Sequence, residues 1–344
     1  MNHNVPPAGP TPEFVVLFYD PRVPSFRYRI APVIEQLTRA GRSCLVVRLP
    51  SGRHVRRLFE LKPALRSARV VLAGKIKFSP PEPQLLRRWC RRLAFDFDDA
   101  IYVLRPRAPG LPPGESRWRR WKFAATCGAT DLVIAGNETL AAAAAPHSRR
   151  VVVVPTPVEI ERYRRADVAA PGAPTLVWLG LPDNLNYLEL VRPALVALTR
   201  RWPDLRLRVI CSEFPDWSDV AIERVPWSPA NEIAGLATAH IGLMPLADDA
   251  WTRGKCTFKL LQYAAAGLPS VASDVGANRE ALLDGASGFL VPPGASWEPA
   301  LAKLIESAEL RLSFGGRGRE HVERHYAADV VSARCAGLLT DLAD

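Results

Sequence analysis

The feature that most constrains the fold is an alternation of short, uninterrupted apolar runs with longer amphipathic runs. FVVLFY at 14–19 and TLVWL at 175–179 are runs of strand length and are apolar throughout. Such runs are typical of parallel strands that are buried on both faces of a sheet. Because parallel strands are joined by helical crossovers, the alternation predicts an α/β fold of doubly wound sheets.

The alternation stops once and then starts again, which predicts two domains. Pro155-Thr156-Pro157 interrupts it, a linker-like segment rich in Ala and Pro follows at 167–174, and the strand pattern then resumes. In open α/β sheets ligands bind outside the carboxyl ends of the strands, so two such domains would bind a ligand in the cleft between them. The predicted divisions are a disordered lead-in at 1–13, a first Rossmann-like domain at 14–160 and a second at 161–326.

The positive charge is concentrated in the first half of the chain. Residues 1–160 carry 26 Lys and Arg against 12 Asp and Glu, whereas the remainder carries 19 against 23, for a net charge of +10. A basic half indicates an anionic partner, for which nucleic acid, a membrane surface or a phosphorylated substrate would qualify. The six cysteines are scattered without C-x-x-C pairs, which predicts reduced thiols in a cytoplasmic protein and no metal site.

The stretch RGKCTFKLLQYAAAGLPSVASDVGANRE at 253–280 predicts an anion-binding site. It reads as loop, helix, strand, loop and helix, so two helix N-termini face the carboxyl edge of a sheet. The first of them has Lys255 and Lys259 beside it. Free backbone N–H groups and lysines at a helix N-terminus suit a diphosphate.

Candidate residues in the first half follow predicted strands. Arg27 and Arg29 come after the first strand as phosphate or acceptor contacts, or as a solvated helical turn. Asp98 and Asp99 end the fourth predicted strand, given as 93–103, where they would orient or deprotonate an acceptor hydroxyl, or else cap a turn. Asn137 after the fifth strand would face the cleft, although helix capping is the simpler account.

The segment RWRRWK at 117–122 interleaves aromatic and basic residues on a predicted helix. The preferred interpretation is a solvated face with Trp118 or Trp121 packed inward. A peripheral contact with an anionic bilayer at the inner face of the membrane is the second interpretation, and nucleic acid is the third. The chain lacks G-x-S-x-G, P-loop and G-x-G-x-x-G motifs, which argues against a hydrolase, an NTPase or an ordinary dehydrogenase.

Several segments of the chain together carry a family resemblance. In the first half they are FDFDDAIYV and ATDLVIAGNETLA. In the second half they are VVVVPTPVEIERY, WLGLPDNLNYL, HIGLMPLADD and KCTFKLLQYAAAGLPSVASDVGANREALLDGASGFLVPPG. These segments resemble the nucleotide-sugar glycosyltransferases of GT-B fold, and the most similar group is the retaining glycosyltransferase family 4.

The resemblance implies a hexosyltransferase that moves a sugar from a nucleotide-diphosphate sugar to a glycan or lipid-linked acceptor, without a cofactor or a metal. The donor would lie against the second domain and the acceptor against the first, and a C-terminal helix at 327–344 would cross back to the first domain. Asp98 and Asp99 are the candidate catalytic residues. The candidate substrate-binding residues are Arg27, Arg29, Asn137, Gly180, Arg253, Lys255, Lys259, Gln262, Gly276 and Asn278.

The chain departs from the family pattern at an E-x7-E pair, for which it has Gly254 and Gln262. In the family the first Glu lies near the sugar and the second near the donor ribose. A basic pair that many relatives carry after the first strand of the second domain is also absent after Gly180. Two alternatives to a transferase therefore stay open: an inactive GT-B module that binds a nucleotide sugar or a protein partner, and a polyanion-binding protein.

Overall fold

A computed structural model of the chain describes residues 11–49, 52, 54–106, 113–168 and 174–344. The predicted lead-in at 1–13 lies outside these residues except for its last three. The predicted linker at 167–174 lies outside them except for its two ends.

The first half forms a six-stranded sheet in the order β2-β1-β3-β4-β5-β6. Every pairing in it is parallel. Its strands are β1 Phe14–Phe18, β2 Cys44–Arg48, β3 Val70–Gly74, β4 Arg92–Phe97, β5 Leu132–Ala135 and β6 Val151–Val153. Its helices are α1 Ala31–Arg39, α2 Val55–Ser67, α3 Glu82–Trp89, α4 Arg117–Ala129 and α5 Glu138–Ala144, with a π-helical turn at Phe26–Ile30 before α1.

The second half forms another six-stranded parallel sheet, in the order β12-β11-β10-β7-β8-β9. Its strands are β7 Thr175–Leu179, β8 Arg206–Cys211, β9 Ile222–Pro226, β10 Ile241–Met244, β11 Ser270–Ser273 and β12 Gly288–Val291. Its helices are α6 Arg192–Arg201, α7 Pro229–Ala237, α8 Phe258–Ala265, α9 Asn278–Ala281, α10 Glu298–Glu306 and α11 Ala308–His325. The predicted fold class, two doubly wound sheets with helices on both faces, is confirmed.

The last helix, α12 Ala328–Ala343, packs on the first sheet. Val331, Cys335 and Leu339 belong to the same apolar cluster as Phe14 and Leu72 of β1 and β3. The chain therefore returns to the first sheet after it has completed the second, and burial of this apolar face holds the two halves together.

One sequence prediction of local structure was wrong, and one strand was not predicted. The strand predicted at 93–103 ends at Phe97, and the residues after it turn at the cleft, with Ile101 N donating to Asp99 O at 2.7 Å. Helix α6 starts at Arg192, after a 3-10 segment at Pro182–Leu190. Pro193 accounts for this start, because Pro is favoured in a first helical turn. The half-buried edge strand β9 was not predicted.

Candidate active site

A cleft lies between the carboxyl edges of the two sheets, and its cavity has a volume of about 270 Å³. First-domain residues on its wall include Tyr28, Asp98 and Asp99. The cleft is closed at one point by the Tyr28 ring, whose centroid lies 4.5 Å from that of Phe258. At another, the Arg105 guanidinium contacts the Asp183 carboxylate at 2.5 Å. Both domains therefore shape the same cavity.

Six of the predicted site residues line this cleft, and the other six lie elsewhere. Those on the wall are Asp98, Asp99, Gly180, Lys255, Lys259 and Gln262. Those that are not on the wall are Arg27, Arg29, Asn137, Arg253, Gly276 and Asn278.

Lys255 and Lys259 flank the N-terminus of α8, which points into the cleft. Lys255 Nζ lies 3.4 Å from Asn184 Oδ1, and Lys259 Nζ lies 5.0 Å from the centroid of the Trp178 ring. Among the described residues, neither ammonium forms an ion pair with a carboxylate. Burial lowers the pKa of Lys255, and burial with repulsion from Lys255 lowers the pKa of Lys259 to about 7. Two half-buried lysines at a helix N-terminus, neither in direct ion pair with a described carboxylate, can bind an anion.

Asp98 and Asp99 face this lysine pair from the first domain and share a third lysine. Lys75 Nζ lies 2.9 Å from Asp98 Oδ1 and also pairs with Asp99. Lys75 follows β3 directly and has a left-handed backbone (φ 56°), a strained conformation for this residue type. Burial raises the pKa of Asp99, and the attraction of Lys75 opposes that rise. Lys75 was missed in the sequence, where its only signal is its place at the carboxyl end of a buried strand.

Gln262 lies on α8 in a hydrogen-bonded group with a carboxylate that sequence reasoning missed. Its Nε2 donates to Glu232 Oε1 at 2.8 Å and to Tyr163 Oη at 2.9 Å. Glu232 lies on α7, is 3% exposed and belongs to the cleft wall. The amphipathic pattern of α7 gives no sign that its one glutamate faces a ligand cavity.

The two arginines predicted after β1 do not reach the cleft. Arg29 is buried in the first domain, where its Nε donates to both carboxylate oxygens of Asp96 at 2.8 and 2.9 Å and its Nη1 donates to Val154 O at 2.7 Å. Arg27 is exposed beside a different groove and stacks over the Tyr28 ring at 5.1 Å. Arg27 and Arg29 diverge because residues two apart on a helical turn point to nearly opposite sides.

The remaining predicted residues hold the loops around the cleft. Asn137 caps α5 by accepting from Leu140 N at 2.9 Å, and its Nδ2 donates to Lys255 O at 3.1 Å. Asn278 is buried and donates to Ser273 O at 2.9 Å. These side chains position the backbone of the loops that surround the cleft.

Arg253 and Gly276 also act on the loop that precedes α8. Arg253 forms an exposed ion pair with Asp248 at 2.6 Å. Gly276 has φ +53°, and a Cβ there would lie 2.7 Å from Arg253 O. A glycine therefore allows the loop after β11 to approach the loop before α8.

In the described residues, no group of three or more His, Cys, Asp or Glu side chains is placed to hold a metal ion. None of the helices described is both long and apolar enough to cross a membrane.

One family of known proteins matches the second domain of this chain. Residues 173–327 match the sequence model of the family described as Glycosyl transferases group 1. The second domain is thus similar to this family. The D-inositol 3-phosphate glycosyltransferase of Nocardia farcinica is 29% identical over 198 residues, which cover 50% of this chain and 43% of the relative. The corresponding protein of Corynebacterium urealyticum is 23% identical over 210 residues, 52% of this chain and 48% of the relative. The chain thus spans just under half the length of these curated relatives.

Solved structures with the same fold cover nearly the whole chain. Sucrose-phosphate synthase from Thermosynechococcus elongatus has a TM-score of 0.72 at 16% identity and covers 96% of this chain and 99% of its own. Anabaena Alr3699/HepE in complex with UDP and glucose has a TM-score of 0.66 at 12% identity and covers 96% of this chain and 100% of its own. At these identities the likeness concerns the fold, and it confirms the predicted GT-B architecture.

Proposed function

We propose that this protein is a glycosyltransferase that moves a sugar from a nucleotide-diphosphate sugar to an acceptor hydroxyl. The observation that carries the proposal is the unpaired lysine pair at the N-terminus of α8, which faces Asp98 and Asp99 across the interdomain cleft. Negative charge develops on a diphosphate as the glycosidic bond breaks. Preorganised cations and N–H dipoles stabilise that charge most strongly in a desolvated site.

The donor is assigned to the second domain and the acceptor to the first. The family match covers the second domain, and HepE, a neighbour in fold, was solved with UDP-glucose. In the first domain Asp98 and Asp99 are the groups available to orient or deprotonate an acceptor hydroxyl. Lys75 holds both carboxylates and keeps them from repelling one another. Retention of configuration and independence from metals are parts of the proposal that come from the family resemblance.

An acceptor linked to a lipid is supported by the surface of α4. Trp118 and Trp121 are 56% and 42% exposed and stack on each other with ring centroids 5.0 Å apart. The interpretation that one of them packs inward is therefore wrong. Lys122 Nζ lies 5.1 Å from the Trp118 ring. Exposed tryptophans among cations are typical of a surface that rests on an anionic bilayer.

That membrane contact is tested by sedimentation with vesicles that contain anionic or only zwitterionic lipid. The wild type is expected to sediment with the anionic vesicles alone, and the Trp118→Ser, Trp121→Ser double variant to stay in solution. Equal sedimentation of the variant would refute a contact through α4.

The activity is tested with a panel of UDP- and GDP-sugars, with release of nucleoside diphosphate as the readout and with inositol phosphates and lipid-linked glycans as acceptors. Lys255→Ala is expected to lower turnover about 100-fold or more, because it removes a charge that the leaving group requires. Lys303→Ala is the matched control, since Lys303 is exposed on α10, away from the cleft. The same assays are repeated with EDTA, and loss of activity would refute independence from metals.

The outcomes separate the alternatives. Binding of a nucleotide sugar with no turnover on any acceptor would favour an inactive binding module. Binding of DNA or RNA that weakens steeply with salt, without affinity for nucleotide sugars, would favour a polyanion-binding protein and refute the transferase.

A further inference from the structure

Three side chains, from α7, α8 and the segment before β7, form a closed ring of hydrogen bonds beside the cleft. Tyr163 Oη donates to Glu232 Oε1 at 2.9 Å, and Gln262 Nε2 donates to that same oxygen at 2.8 Å. Gln262 Nε2 also donates to Tyr163 Oη at 2.9 Å. A fourth residue, Trp227, donates its indole N–H to Glu232 Oε2 at 2.9 Å. Glu232, Gln262 and Trp227 all lie on the cleft wall.

This ring fixes which way the Gln262 amide faces. The amide nitrogen lies within hydrogen-bonding distance of Glu232 Oε1 and Tyr163 Oη, and the carboxylate oxygen of Glu232 can only accept. The reverse orientation would bring the amide oxygen against the carboxylate, two acceptors with no hydrogen between them. Gln262 Oε1 is therefore the atom left over, and no described residue donates to it.

The described partners of Glu232 are all neutral. It accepts from Tyr163, Gln262 and Trp227, whereas the buried Asp96 is paired with Arg29. A carboxylate offers about four acceptor positions. Oε1 accepts two of the three hydrogen bonds and Oε2 accepts one, so one acceptor position remains on Oε2 of this residue in the cavity wall.

We propose that Glu232 is a positioning and specificity-determining residue of the donor site. It holds the Gln262 amide with its oxygen toward the cleft, so that Gln262 Oε1 and the open acceptor position of Glu232 together receive the two vicinal hydroxyls of the donor ribose. This inference rests on the proposed function. It assigns the carboxylate to α7, a different helix from the α8 position at which the family resemblance leads one to expect a glutamate.

The structure of the ring explains why an acidic residue at 262 is not required. A glutamate at 262 would bring a second carboxylate within hydrogen-bonding distance of Glu232, and two adjacent like charges cannot both be stably ionised in a buried site. An amide at 262 donates to Glu232 and still presents an oxygen to the ligand. Gln262 and Glu232 are thus complementary. Swapping the two residues should impair ligand binding less than either single substitution.

The experiment compares ribonucleotides with deoxyribonucleotides by isothermal titration. The Kd values of UDP and GDP are measured first, and then that of the 2′-deoxy form of whichever binds. The wild type is expected to bind the 2′-deoxy form about tenfold more weakly, as a lost hydrogen bond to a buried polar pair predicts. In Glu232→Gln the amide of Gln262 is no longer oriented, and the ratio of the two Kd values should fall toward one.

The exchange variant Glu232→Gln, Gln262→Glu is the rescue, because an amide at 232 can donate to a carboxylate at 262. It should recover the preference for the ribonucleotide, a result that a merely structural role of Glu232 would not produce. Glu309→Gln, an exposed change on α11, is the matched control and should keep the wild-type ratio. If Glu232→Gln does not fold, Tyr163→Phe replaces it and should reduce the ratio, because it removes one of the two groups that hold the amide.

The possible failures are distinguishable. If neither nucleotide binds the wild type, the proposed function fails and this inference fails with it. If a nucleotide binds but its 2′-deoxy form binds equally well, or if the ratio survives Glu232→Gln, the inference alone is overturned.

Discussion

The charge of Lys259 gives the sharpest test of the donor site. Burial and repulsion from Lys255 lower the pKa of Lys259 to about 7, and Arg105 adds a smaller repulsion. A diphosphate beside the ammonium would raise that pKa again, because an adjacent anion favours the charged form. At pH 8 about a tenth of the free protein carries the proton, so binding should take up about 0.9 proton at this lysine. At pH 6 the lysine is already charged, and the uptake there should be about 0.1 proton.

The diphosphate binds the form of the protein in which Lys259 is protonated. Affinity is therefore highest below the pKa of about 7 that Lys259 has in the free protein, and it falls as pH rises above that value. Between pH 7.5 and 9 the Kd should increase nearly tenfold per pH unit, the slope expected when binding takes up almost one proton.

Calorimetry in two buffers with different ionisation enthalpies measures the proton uptake. A nucleotide sugar is the ligand, because a free terminal phosphate has a second pKa of about 6 and would contribute protons of its own. Lys259→Gln should abolish most of the uptake at pH 8, whereas Lys303→Gln should preserve it. An uptake in the wild type that is the same at pH 6 and pH 8, or that survives Lys259→Gln, would refute the reasoning.

Two further predictions concern the frame of the site. Gly180→Ala would place a Cβ 2.5 Å from Trp178 Cζ2 in a ring that is 1% exposed, so thermal unfolding should show a loss of about 1–3 kcal/mol. Gly316→Ala, where a Cβ meets nothing within 4 Å, is the matched control and should not destabilise the protein. Arg29→Met leaves Asp96 buried without its cation, and urea denaturation should show a loss of about 3–5 kcal/mol. A loss below about 1 kcal/mol would contradict the importance of that ion pair.

The α/β class and the two-sheet architecture could be predicted because the parallel strands are buried on both faces. The burial of every residue of β1 and β3 appears in the sequence as uninterrupted apolar runs. β9 was missed for the opposite reason, since IERVP lies at a sheet edge, is half-exposed and carries two charges. Periodicity reports burial, so an edge strand with little burial leaves little signal.

The candidate site could be predicted only in part because sequence order says which loop a residue is on but not where its side chain points. Lys255 and Lys259 were predicted from their place beside a helix N-terminus, and they lie on the cleft wall. Arg29 was placed in the same way after a strand, but its side chain points into the core against Asp96. Glu232 could not be found, because its role depends on Gln262, 30 residues further along the chain.

Gly254 stands where the family resemblance leads one to expect a glutamate. The contact between the two domains explains why this position is a glycine. A Cβ at this position would lie 2.7 Å from Ala100 Cβ and 3.1 Å from Leu140 Cδ2, both in the first domain. Cys256, two residues later, donates its thiol to Asp98 O at 3.1 Å. The loop before α8 thus rests on the first domain where a longer side chain would separate the two.

The same contact brings Asp98 and Asp99, the residues directly before Ala100, to the cleft wall. With Glu232 contributed by α7, the carboxylates of this cleft come from three positions outside α8. The missing E-x7-E pair is therefore weak evidence for an inactive relative. Both domains still contribute acidic groups to the cavity that holds the lysine pair. Gly254 before α8 fits against the first domain, and Gln262 on α8 fits beside Glu232.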